Sequence, residues 1–132
     1  MTPLLHLIVD GYNVIHRLKR FSKGGLEEKR RLLQQAVELY AQTEGMDWTI
    51  CFDGKKMAGI AAEDPHLVFS GTEGADAVME RLAYQAEDRQ RIVCVTDDQT
   101  LRNFLFGLGA SVLSVDEFER RLKQAEQTYG FR

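Results

Sequence analysis

Five short apolar runs punctuate the chain, each closed by acidic residues, glycine or serine. The first covers positions 5–9, with His6 inside it, and stops at Asp10, Gly11, Tyr12 and Asn13. Short apolar runs bounded by turn signals read as strands buried on both faces of a parallel sheet. The same reading predicts strands over 48–52, 66–70, 91–96 and 110–113. Apolar residues recur at helical spacing between them, which predicts helices over 26–43, 75–87, 98–107 and 115–127. Gly45 supplies a stop for the first of these. Ser114 and Glu117 form an S-x-x-E capping box before the last, with Leu113 and Phe118 as a hydrophobic staple. Residues 17–25, marked by Gly24-Gly25, and residues 55–64 read as loops.

Strands alternating with helices imply βαβ units. The expected fold is α/β, a mainly parallel central sheet of about five strands covered by helices on both faces. At 132 residues the chain is expected to form one domain, 1–132, large enough for a full core.

In open α/β sheets, ligands sit beyond the carboxyl ends of the strands. Asp10 stands at such an end, Asp53 at the next, and Asp97 and Asp98 after the 91–96 strand. Asp76 and Glu80 lie one helical turn apart on the middle helix, so they share a face. Each acid also has an ordinary use. Asp10-Gly11 and Asp53-Gly54 are turn dipeptides. Asp76 suits a helix N-terminus. Thr96 and Gln99 could form a T-x-x-Q capping box, with either Asp97 or Asp98 as a cap. Together, however, the acids fall on one edge of the sheet, where carboxylates repel unless a cation lies between them. Mg²⁺ or Mn²⁺, hard cations that prefer oxygen ligands, would relieve that repulsion.

Charge distribution sharpens the picture. The net charge is −3, yet the segment 17–31 carries seven basic residues against two acids. A basic stretch beside an acidic pocket suits a phosphodiester substrate; a solvated loop and helix face is the other reading. Arg17, Lys19, Arg20, Lys55 and Lys56 are the expected phosphate contacts. No apolar run reaches the length of a membrane span. The N-terminus has no basic n-region, so no signal peptide is expected. Cys51 and Cys94 fall in predicted strands as free thiols, which suits a cytoplasmic protein.

The ordered set VDGYN, FDG, FSGTEGAD, VTDD and GLGASVLSVDEF resembles the NYN domain of the PIN-like nuclease superfamily, in its YacP-like branch, from Leu7 to about Leu122. The resemblance implies a Rossmann-like three-layer sandwich of PIN-like type and a metal-dependent endoribonuclease acting on RNA, single-stranded, on mRNA or on ribosome-associated RNA. By position it implies Asp10, Asn13, Asp76 and Asp98 as catalytic residues. Asp10, Asp76 and Asp98 would hold the metal, with Asp97 and Glu80 as helpers and Asp53 as a further candidate. The family pattern after the fourth strand, Thr or Ser, any residue, then Asp, selects Asp98 over Asp97. Two departures stand out: Asp97 replaces a small hydroxyl residue, and no Arg lies between Gly107 and Gly109. The alternative is a non-catalytic PIN-like module that binds RNA or docks on a ribosome. A haloacid-dehalogenase-type phosphatase needs a second Asp where Tyr12 stands, and no phosphate-binding glycine motif is present.

Overall fold

The computed structural model describes residues 4–54 and 64–128. Its elements are β1 (His6–Asp10), α1 (Gly11–Arg17), α2 (Leu26–Glu44), β2 (Asp47–Phe52), β3 (Leu67–Phe69), α3 (Ala75–Gln85), β4 (Ile92–Val95), α4 (Gln99–Gly107), β5 (Ser111–Leu113) and α5 (Val115–Thr128). All five strands are parallel, in the order β3-β2-β1-β4-β5. The expected architecture and all five strands are therefore present.

Alternation along the strands divides the core in two. Leu7 and Val9 of β1 join Val14, Leu33, Val37, Phe118 and Leu122 from α1, α2 and α5. Ile8 joins Val78, Met79, Leu101 and Leu105 from α3 and α4. Full burial of such side chains contributes about 1.5–3 kcal/mol each. Helices on both faces explain why the strands read as unbroken apolar runs.

One element departs from expectation. The turn expected after Asp10 is the helix α1, and the loop expected over 17–25 begins with a 3₁₀ turn, Lys19–Phe21. Gly11, Val14, Ile15 and Leu18 are buried at positions i, i+3, i+4 and i+7, a helical stripe only two turns long. Gly11 is small for a reason other than turning. A Cβ there would stand 2.5 Å from the Phe52 ring.

Helix ends follow local chemistry. Gly45 closes α2 in the left-handed region, φ 65°, and its N–H bonds back to the helix. At α5 the capping box is complete: Glu117 N–H donates to Ser114 Oγ at 3.1 Å, and Ser114 N–H donates to Glu117 Oε1 at 2.9 Å. These bonds hold the Glu117 carboxyl below its usual range. At α4 the expected T-x-x-Q box does not form. Asp98 is the cap, accepting Leu101 N–H on Oδ1 at 2.8 Å.

Candidate active site

Asp10 is the last residue of the central strand, with β2 on one side and β4 on the other. The chain leaves β1 toward β2 and β3, then returns across it to β4 and β5. The crevice between the ends of β1 and β4 is thus the switch point where open α/β sheets bind ligands.

Thr96, directly after β4, closes this crevice from the other side. It is fully buried, and its hydroxyl donates to Asp10 Oδ2 at 2.9 Å. The Thr96 hydroxyl oxygen in turn accepts Asp98 N–H at 3.2 Å. Arg102 donates to the Thr96 carbonyl at 2.9 Å, so the turn is held from α4 as well. Thr96 was not among the expected site residues. Its signal in the sequence was a hydroxyl at the end of a buried strand, followed at once by two acids.

The Asp10 carboxyl is pushed up to about 6. Burial is the main cause, and the charges of Asp76 and Asp98 add to it. The Thr96 hydrogen bond opposes the shift. The Asn13 backbone N–H also favours the ionised form, without closing a capping hydrogen bond. Carboxylates from β1, α3 and α4 therefore share one electrostatic neighbourhood.

Asp76 reaches it from the first turn of α3. Gly74 lies just before, at φ 94°, and a Cβ there would sit 3.0 Å from Asp76 Oδ1 and 3.9 Å from Asp53 Oδ1. Glycine thus leaves room for two carboxylates to approach the same backbone. Ser70 donates to Asp53 Oδ1 at 3.1 Å and accepts Gly54 N–H at 3.0 Å, which fixes Asp53 at the rim. Glu80 is half-buried one turn beyond Asp76.

Asp97 and Asn13 are committed to scaffolding contacts. Asn13 Oδ1 accepts Asp97 N–H at 2.9 Å. Asp97 Oδ1 accepts Val115 N–H at the start of α5, also at 2.9 Å, and its Oδ2 lies 3.7 Å from Arg17 Nε. A carboxylate at a helix N-terminus is favoured by the helix dipole. These contacts lock the turn carrying Asp98 to α1 and α5.

Two of the expected phosphate contacts are paired with carboxylates. Arg17 donates to Asp116 at 3.2 Å, and Arg20 donates to Glu126 at 2.7 Å. Lys19 is exposed. Lys55 and Lys56 lie outside the described residues.

The acids supply hard oxygen donors, the set that suits Mg²⁺ or Mn²⁺. Among the described residues, no three His, Cys, Asp or Glu side chains close around a common ion position. Mg²⁺ keeps several waters and commonly takes only one or two protein carboxylates, so the open cluster fits a hydrated ion. Asp10 with Asp76 or Asp98 could hold it, directly or through water.

Among the described residues no helix is long and apolar enough to cross a membrane. A family model described as "YacP-like NYN domain" matches residues 7–130. A crystal structure of Rae1 (YacP) from Bacillus subtilis superposes with a TM-score of 0.81 at 25% identity, covering 98% of this chain and 78% of that one. A tryptophan-to-leucine variant of the same protein gives 0.79 at 27% identity, covering 95% and 78%. No curated protein sequence matches significantly. With a family match across nearly its whole length and a shared PIN-like fold, the chain belongs to the YacP-like NYN domain family, whose members are nuclease-like and RNA-related.

Proposed function

We propose that the chain is a metal-dependent endoribonuclease that hydrolyses phosphodiester bonds of single-stranded RNA in the cytoplasm. The observation that carries this reading is the convergence of Asp10, Asp76 and Asp98, from three separate elements, at the switch point of the sheet. Membership of a nuclease-like family supports the same reading. Free, buried Cys51 and Cys94 suit a reducing compartment.

A bound Mg²⁺ or Mn²⁺ would activate water and stabilise the charge that builds on the phosphate. Asp10, Asp76 and Asp98 would hold that ion. Thr96 keeps Asp10 oriented and favours its ionised form. Asn13 and Asp97 hold the turn that presents Asp98, so their part in activity is positional. Glu80 and Asp53 flank the cluster, where either can orient a water.

The open spacing of the acids favours a second reading, a non-catalytic RNA-binding or ribosome-docking module. The two separate in one experiment. Purified protein is incubated with single-stranded RNA, structured RNA and ribosome-bound mRNA, in Mg²⁺ or Mn²⁺ and then in EDTA. Cleavage that needs metal and is lost in Asp10→Asn and Asp98→Asn supports the enzyme. Binding without cleavage on all three substrates, unchanged in those variants, supports the module.

A further inference from the structure

A groove of about 480 Å³ opens between the start of α2 and the ends of β2 and β3, lined by Arg30, Arg31, Phe52 and Phe69 among others. Its size lies within the range of about 300–1,000 Å³ common to small-molecule sites.

Arg30 is its unusual member. The residue is only 8% exposed, and Nη1 donates to the Tyr12 hydroxyl at 3.2 Å. Among the described residues no carboxylate pairs with it. Buried cations are normally paired, because leaving one without an anion is costly. Glu28 also lines the groove but is paired with Arg31, and Glu27 is exposed. Beside Arg30 runs a ladder of rings. Tyr12 lies 5.0 Å from Phe52, and Phe52 lies 5.5 Å from Phe69, centroid to centroid. Phe69 ends the edge strand of the sheet and is half-buried.

We propose that this groove is a nucleotide subsite for single-stranded RNA, in which Arg30 takes a backbone phosphate and a base stacks on Phe69. A guanidinium with no carboxylate partner among the described residues, beside partly open aromatic rings, combines the two features on which unstacked nucleotides settle. The inference rests on the RNA-directed reading above and extends it to a surface separate from the carboxylates. Phe52 and Phe69 immediately precede Asp53 and Ser70, so groove and acidic cluster share one rim of the sheet. A strand lying over that rim is gripped on the α2 face and meets the acids on the α3 and α4 face.

The test is equilibrium binding of the full chain to a short single-stranded RNA carrying a fluorescent purine analogue, in EDTA. Binding should quench the analogue. Phe69→Leu should weaken affinity about tenfold and remove the quench. Arg30→Lys, which keeps the charge but loses the fork, should weaken affinity while keeping the quench. An abasic strand should be indifferent to Phe69→Leu. Circular dichroism and the melting midpoint show that each variant is folded. Unchanged affinity and quench in Phe69→Leu overturns the subsite and leaves the groove to a protein segment. RNA binding through the groove without cleavage in Mg²⁺ or Mn²⁺ defeats the nuclease reading but keeps the subsite. Cleavage with Phe69→Leu affinity intact does the reverse.

Discussion

Thr96 donates its hydroxyl hydrogen to Asp10 although 86 positions separate them in the chain. That bond joins the ends of the two central strands and, with the Asp98 N–H bond to the same hydroxyl, fixes two acids relative to each other. Thr96→Val keeps the shape and deletes both bonds. It should cost about 1–3 kcal/mol in urea unfolding, because the half-buried Asp10 carboxylate loses its donor and Asp98 N–H its acceptor. It should also raise the Asp10 pKa further and lower cleavage, whereas Thr96→Ser should retain most of both properties.

Asp10 is expected to oppose folding at neutral pH when no cation is bound. Its folded-state pKa, about 6, lies above the ordinary aspartate value of 3.8. The folded state therefore binds the proton more tightly than the unfolded state. The penalty is fully present above about pH 6 and is relieved as pH falls toward 3.8. A shift of that size corresponds to about 3 kcal/mol. Asp10→Asn should therefore raise the metal-free melting midpoint at pH 7.5 and abolish cleavage. The stability gain should vanish near pH 4, as thermal melts across pH would show.

Asp98 combines a cap with a charge, and substitution can separate the two. Asn caps helices about as well as Asp. Asp98→Asn should therefore leave the melting midpoint nearly unchanged while cleavage in Mg²⁺ falls at least about tenfold. Asp98→Ala should lose the cap as well, about 1 kcal/mol.

Asp97 should behave in the opposite way. Its carboxylate serves Val115 N–H and Arg17. Asp97→Ala should cost about 1 kcal/mol of stability. It should retain far more cleavage than Asp76→Asn when both are assayed at saturating Mn²⁺.

Gly11→Ala tests the contact that links α1 to the strand ends. The added methyl would overlap the Phe52 ring at 2.5–2.6 Å, and overpacking of this kind costs about 1–3 kcal/mol. Chemical denaturation should show the loss, with RNA affinity falling as Phe52 shifts.

The strands and the long helices were legible because their cues are local. Apolar runs mark the buried strands, and Ser114 with Glu117 announces α5 within four residues. Helix α1 was hidden for a physical reason. Asp10-Gly11 is a turn dipeptide, and a two-turn stripe of Gly11, Val14, Ile15 and Leu18 is too short to outweigh it. The roles of the acids after β4 depended on partners far away in sequence. Thr96 looked like a cap because Gln99 follows at the right spacing, but its hydroxyl is taken by Asp10. Asp97 is drawn to Val115 N–H of α5 and to Arg17, whereas Asp98 caps α4 at Leu101 N–H. Arg30 looked like part of a charged helix face, and its burial against Tyr12 is set entirely by tertiary packing.

The reversal of winding order at β1 has an evolutionary consequence. The crevice there is framed by strand ends, and its rim consists of connections whose length and composition can drift without disturbing the hydrogen-bonded sheet. Relatives can then inherit the same acidic floor and acquire different targets by rewriting the walls. The residues to compare among them for target preference are those of the groove and the connecting segments, not those of the floor.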